Sequence, residues 1–301
     1  MADETDFRIL ARLWQEPFAS YEAIGHGLGL SGNTAKNRLK RLREDGVISG
    51  VWALPAPGVF RRSSRIFAFP PQEDPNRALE EALRVDPVVW ALERTDHRVS
   101  VHAYVEPGTD EPPEKLTDLF GPPDFAISPR MFGAITDLPV LSSLDLRVLR
   151  ALVRRPRGSL QEIGRQCRLT PKTIRAHRDA MFRDRVFTFL TPLQGTRSRG
   201  LVIYNLFVQT PTVTPSQRSA VLAALPGSLV LAETERPTGL YLLGRAPSLA
   251  QVLESEARAR GVRGVMRVEL NLFLRHEFAA ARIEGWIDDQ LAIWARGKPA
   301  A

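Results

Sequence analysis

Apolar residues open the chain at helical spacing. Phe7, Leu10 and the Leu13–Trp14 pair share one face, and Pro17 stops the helix. A second short helix is predicted from the cap Ser20, carrying Ile24 and Leu28. A third is predicted over 31–43, capped by Ser31 and burying Ala35, Leu39 and Leu42 at i, i+4, i+7. The same pattern returns 139 residues later: Leu146, Leu149 and Leu152–Val153, then Pro156, then Ser159 with Ile163 and Cys167, then a helix from Thr170. At that constant offset Asp6 pairs with Asp145, Gly25 with Gly164, Leu30 with Leu169, Thr34 with Thr173, and Val47 with Val186, without a gap. An offset held over some forty residues marks a tandem duplication.

Each copy reads as a short helix, a tight turn and a basic second helix, the layout of a helix-turn-helix. Such a helix must offer its N-terminal outward side chains to base edges while its apolar side docks on the supporting helices. In the first copy Asn33, Lys36, Asn37, Lys40 and Arg41 are predicted to face outward, with Ser31 and Thr34 at the helix start. In the second the corresponding set is Thr170, Lys172, Thr173, Arg175 and Arg178, with Pro171 at the first helical position. Arg178 stands where the first copy has Leu39, so the second apolar face is expected to run through Ile174, His177 and Met181. Asn suits bidentate bonding to adenine, and Lys or Arg reaches guanine or phosphate. Extended runs follow each helix. The intervening loops carry Arg61 and Arg62 in one copy and Arg197 and Arg199 in the other, expected as hairpin wings touching the DNA backbone.

Beyond each helical unit the pattern alternates strand, helix, strand, strand, helix, strand. The first series is 65–69, 76–85, 88–93, 98–105, 114–120 and 125–132. The second is 201–209, 216–224, 229–233, 240–243, 248–259 and 265–274. Two split β-α-β units make a ferredoxin-like sandwich. The expected class is therefore α+β, with two winged helix-turn-helix domains (1–63 and 140–200) alternating with two ferredoxin-like βαββαβ domains (64–139 and 201–301). A last helix carries Ile283, Trp286, Ile287, Leu291 and Trp294 as an apolar stripe, for core or dimer packing.

Charge adds a partner class. The net charge is +7 over 301 residues, but residues 144–200 alone hold 14 basic against 4 acidic side chains. A concentrated basic stretch suits a polyanion, although a solvated arginine-rich surface would have the same composition. No run of about 18 apolar residues suggests a membrane span, and the acidic start is unlike a signal peptide. The lone Cys167 excludes an internal disulfide and fits a reducing compartment, so a cytoplasmic location is expected.

The stretch LGLSGNTAKNRLKRLREDGVISGVWALPAPGVF resembles the helix-turn-helix of Lrp/AsnC transcription regulators, with its Ser-capped helix, Arg-x-x-Leu and Gly-Val-Ile exit. The resemblance is specific over 6–59, weaker over 144–193, and a matter of pattern alone in the sandwich domains. It implies a DNA-binding regulator with duplex DNA as partner and a small-molecule effector of unknown identity. Family members usually carry one unit, so two per chain imply an intramolecular pseudo-dimer, with homodimerisation as a further level. Amino-acid sensing in the family uses a glycine-containing turn followed by an acidic residue. Here the turn at 93–97 lacks glycine and that at 233–239 is rearranged.

Other signals read as structural. Gly25-His26-Gly27-Leu28-Gly29 does not follow a strand, so it lacks the context of a dinucleotide loop. The five histidines are scattered, with no convergent ligand set for a metal. No catalytic residue, cofactor or metal is expected. Siroheme decarboxylases are similar to this architecture and use His and Arg around a tetrapyrrole. That enzyme class, and a non-specific DNA-architectural protein, are the alternatives.

Overall fold

The computed structural model describes residues 2–130, 138–198 and 200–297. The first unit begins with α1 (Glu4–Gln15), α2 (Tyr21–His26) and α3 (Gly32–Glu44), followed by β1 (Trp52–Pro55). A βαββαβ series follows: β2 (Ser63–Ala68), α4 (Pro75–Arg84), β3 (Val88–Arg94), β4 (Val99–Val105), α5 (Glu114–Phe120) and β5 (Phe125–Ile127), with a short β6 (Pro129–Arg130). The second unit repeats the order with α6 (Ser143–Arg154), α7 (Leu160–Cys167), α8 (Pro171–Arg183) and β7 (Phe187–Leu190). Then come β8 (Val202–Gln209), α9 (Pro215–Ala224), β9 (Leu229–Glu235), β10 (Thr238–Ala246), α10 (Leu249–Arg260) and β11 (Arg267–Phe278), closed by α11 (Ala280–Ala295).

The repeat extends to backbone detail. Asp3 and Asp6 form a capping box at the start of α1, and Ser142 and Asp145, each 139 residues on, form one at the start of α6. Gly29 and Gly46 have left-handed φ of 70° each; their counterparts Arg168 and Arg185 hold the same conformation at 54° and 56°. The second copy therefore holds the same turn shape without the glycines that favour it.

Strand order in the large sheet is β5-β2-β4-β3-β11-β8-β10-β9-β6. Each half is a ferredoxin-like sheet, and the halves are joined by strand exchange. The second half of β11 leaves β8 and pairs with β3, His276 opposite Leu92 and Phe278 opposite Trp90. Reciprocally, β6 pairs with β9, Pro129 opposite Thr234. Only Ser128 separates β5 at one end of the sheet from β6 at the other, so the sheet curls until its ends meet. The outer faces are covered by helices. Phe67, Val101 and Ala103 pack under α4 and α5, and Leu206, Leu240 and Leu242 under α9 and α10. The two inner faces and both helical units share one apolar core. The intramolecular association expected from the duplication thus takes the form of shared strands as well as facing sheets.

One expectation is corrected. The run after each third helix does not fold back on its own unit as a hairpin wing. Instead β1 pairs antiparallel with β7 of the other unit, Trp52 opposite Leu190 and Pro55 opposite Phe187, while β2 belongs to the large sheet. Pairing across the copies gives both otherwise unpaired runs a partner and buries Ala53, Leu54, Phe187 and Phe189 between the units. The expected strand 125–132 appears as β5 and β6, its last two residues lying outside the described set. The C-terminal stripe packs within the chain: Trp286 stacks on Tyr104 at 5.9 Å and meets Phe60 at 5.2 Å, while Arg150 and Arg154 of α6 bind Asp288 and Glu284 of α11.

Candidate nucleic-acid interface

In both units the approach of the second helix to the third is set by a glycine. A Cβ on Gly25 would lie 2.8 Å from the backbone of Leu30 and Ser31, and one on Gly164 would lie 2.6 Å from Leu169 O. These residues allow the turn to close; the glycine run around Gly25 is packing, not a phosphate loop. The third helices then start on side-chain caps. Ser31 Oγ accepts from the Thr34 N–H at 3.0 Å, and Thr170 Oγ1 from the Thr173 N–H at 3.2 Å. The paired hydroxyls of each cap also bond to each other, at 2.8 and 2.9 Å.

Helix α3 buries Ala35, Leu39 and Leu42 and leaves Asn33, Lys36, Asn37 and Lys40 exposed. Lys40 sits 3.5 Å from Glu44 one turn on, an exposed pair that leaves its ammonium available. Arg41 is engaged differently: its guanidinium donates at 2.8 Å to Asp6, whose side chain is 1% exposed. Arg38 joins the same cluster, donating to Asp3 and Asp6 at 2.8 and 3.0 Å. Burial works against ionisation of Asp3, but Arg38 and the Asp6 N–H more than offset it and hold its carboxyl below the usual range. In the second unit His177 stands where Arg38 stands, and its Nδ1 lies 2.6 Å from Asp145. Burial opposes the charge on Asp145 too, and hydrogen bonds from Ser142 and His177 win, so its pKa is lowered. Each third helix is therefore clamped to its first helix by a repeat-equivalent aspartate.

Helix α8 exposes Lys172 and Arg175 and buries Ile174 and Met181. Arg178, expected to face outward, lies over the Phe18 ring at 3.9 Å and beside Asp179 at 2.7 Å, with 16% of its side chain exposed. Phe18 belongs to the first unit and meets Phe182 and Phe189 of the second at 5.2 and 5.3 Å. Arg157 adds hydrogen bonds to the carbonyls of Pro17 and Ala19. Phe18, Arg157 and Arg178 thus fix one helical unit against the other. Of the loop arginines, Arg62 covers the Trp286 ring at 4.3 Å, an intramolecular cation–π contact. Arg61 occupies a left-handed turn and Arg197 is exposed in a short 3-10 turn. Arg199 lies outside the described residues.

The family model for winged helix-turn-helix DNA-binding segments matches residues 3–49. The matched residues carry the three helices α1, α2 and α3. The first helix-turn-helix is similar to that of the HTH-type transcriptional regulator Rv2324 of Mycobacterium tuberculosis, 46% identical over 48 residues, 16% of this chain and 32% of that protein. It is also similar to the HTH-type transcriptional regulator Ptr1 of Methanocaldococcus jannaschii, 43% identical over 53 residues, 18% of this chain and 36% of the relative. The match spans about a third of the length of these curated relatives. Among solved structures, the siroheme decarboxylase NirDL aligns over 97% of this chain and 100% of its own, at 14% identity and a TM-score of 0.48. Escherichia coli AsnC aligns over 44% of this chain and 91% of its own, at 14% identity and a TM-score of 0.29. At those identities and scores neither likeness speaks to function.

The clamp and the interface between units were not legible as functional features from sequence. Asp6 and Asp145 do repeat at the 139-residue offset, and a paired carboxylate within an otherwise apolar helix face was the available signal.

Proposed function

We propose that this chain is a sequence-specific transcription regulator of Lrp/AsnC type that binds duplex DNA through α3 and α8 of one polypeptide. The observation that carries the reading is the exposed, N-capped start of both helices. Asn33, Lys36, Asn37 and Lys40 on one, and Lys172 and Arg175 on the other, project from helices whose opposite faces are fully packed. That is the arrangement a recognition helix needs in a major groove. Ser31, Thr34, Thr170 and Thr173 serve as caps that bring the first-turn N–H groups near phosphates. Arg61, Arg197 and Arg199 supply backbone contacts from the loops. Arg41, Arg62 and Arg178 act through structure, orienting the helices and bracing one unit on the other.

The two helices differ in side chains, so the preferred site is asymmetric, in contrast to the palindromes bound by two-fold dimers with half-sites about 34 Å apart. Selection of bound DNA from a random pool, followed by titration at several salt concentrations, tests the reading. With about six phosphates neutralised, log K falls against log salt with a slope of about −5. Absence of an enriched sequence, together with a flat salt response, would refute it. A palindromic consensus would refute the asymmetric use of the two helices while leaving DNA binding intact.

A further inference from the structure

Between the inner faces of the curled sheet, below the helical units, lies a cavity of about 420 Å3. Its walls come from α1 through Ala11 and Trp14, from β7 through Phe189, and from the sheet through Trp90, Asn205, Tyr241 and His276. The volume falls in the range of small-molecule sites, roughly 300–1,000 Å3. Well-packed interiors carry few voids larger than a water molecule, so a space of this size is not a packing residue.

Several polar groups on the walls are incompletely satisfied. Asn205 sits in β8 between the apolar pairs Ile203–Tyr204 and Leu206–Phe207 and is 5% exposed. Its Nδ2 donates to Tyr241 Oη at 2.8 Å, while its Oδ1 has no partner among the described residues. His276 Nε2 and Thr191 Oγ1, on the same walls, are likewise cut off from solvent without a partner among the described residues. An unpaired buried acceptor is costly and asks for a donor. The arginine on the wall, Arg218, is occupied by Glu233 at 2.9 Å and is half exposed. Burial holds the His276 imidazole neutral, its pKa lowered to about 4. Trp14 Nε1 and Trp90 Nε1, on the same walls, are donors without a partner among the described residues. The interior thus offers aromatic walls with an unpaired acceptor and unpaired indole donors, but no uncompensated charge to receive an anion.

We infer that this cavity is a binding site for a neutral, planar aromatic ligand carrying a hydroxyl group, a phenol, which would donate to Asn205 Oδ1 and accept from the indole N–H of Trp14 or Trp90. The ring would lie among Trp14, Trp90, Phe189 and Tyr241. Ligand binding as such is independent of the DNA reading; only an influence on the recognition helices, through α1 and β7, would rest on it.

Equilibrium dialysis of the full chain against three probes tests the site: 2-naphthol, its methyl ether 2-methoxynaphthalene, and 2-naphthoate. The expected result is about tenfold tighter binding of 2-naphthol than of the ether, the worth of one buried hydrogen bond, and weaker binding still of the anion. Asn205→Leu should abolish the preference for the donor. Ala11→Phe, which places a ring in the cavity from its α1 wall, should reduce binding of all three at least tenfold. Comparable binding of the ether and 2-naphthol, preference for naphthoate, or binding unaffected by Ala11→Phe would each overturn the assignment. Ala11→Phe keeps the test decisive should Asn205→Leu fail to fold.

Discussion

His102 gives the sharpest quantitative test of the inner sheet. Its ring is fully buried in β4, bonded through Nε2 to Ser64 Oγ and set edge-on to Trp90 at 5.0 Å and Tyr104 at 5.4 Å. Burial, with a smaller contribution from nearby His276, lowers its pKa to about 3. In the unfolded chain the value is about 6.5. Below that pH the unfolded state binds a proton that the folded state refuses, so stability falls as pH falls. From pH 6.5 to pH 5 the loss is about 1.5 units at 1.36 kcal/mol each, or about 2 kcal/mol from this one residue. It continues until the folded pKa is reached. His102→Gln keeps a hydrogen-bonding partner for Ser64 but cannot titrate, so its stability should lose about 2 kcal/mol less than the wild type between pH 7 and pH 5. Urea unfolding at both pH values measures that difference. Imidazole NMR of the native chain reads the residue directly and should find His102 uncharged throughout that range. A His102 resonance titrating near pH 6.5, or an unchanged pH slope in the variant, would refute the reasoning.

Phe18→Ala removes the ring that meets three phenylalanines and Arg178 across the helical units, and should destabilise the chain by about 3 kcal/mol in urea unfolding. A change below 0.5 kcal/mol, on the order of a surface substitution, would show that the units are held elsewhere. Asn37→Ala should relax base preference at one position of a selected site at a cost of about 1–3 kcal/mol, whereas Arg175→Ala should weaken all sequences alike. The reverse pattern in binding-site selection would exchange the roles of the two helices. Arg185→Gly relieves a left-handed arginine where the first copy has Gly46, and should raise stability by ~0.5–1 kcal/mol. A lowered melting temperature would contradict that account.

Much of the architecture is readable from the chain because it is written twice. Helices α1 to α3 and α6 to α8, the caps Ser20, Ser31, Ser159 and Thr170, and the βαββαβ order follow from periodicity and from the 139-residue offset, whereas the capping boxes that open α1 and α6 do not. What escapes a linear reading is partner choice. The run at β1 has the composition of half a hairpin, yet its mate is β7, because pairing depends on where the second unit docks. Arg178 breaks the apolar stripe in sequence, and only the neighbouring Phe18 explains why it turns inward. Among the proposed contacts, the exposed positions follow helical phase. Arg41 and Arg62 look the same on a helical wheel or in a loop, and are distinguished by Asp6 and Trp286, which are distant in sequence. Asn205 was visible as a polar residue amid LVIYNLFVQ, but its unpaired oxygen becomes evident only once the opposite sheet is in place.

The exchange of β6 and β11 between the two sheets has a consequence for assembly. Separate halves would each leave sheet edges at β3 or β9 to be covered by another molecule, and would be complete only at concentrations above their dissociation constant. A covalent link replaces that bimolecular step with an effective local concentration in the millimolar range for a short connection, so closure no longer depends on how much protein is present. It also guarantees that unlike halves meet. In a mixture of separate subunits, a helix-turn-helix whose recognition residues had drifted would pair with its own kind as readily as with its partner. Joined in one chain, every molecule carries one of each. The fusion frees α3 and α8 to diverge without forfeiting a common scaffold.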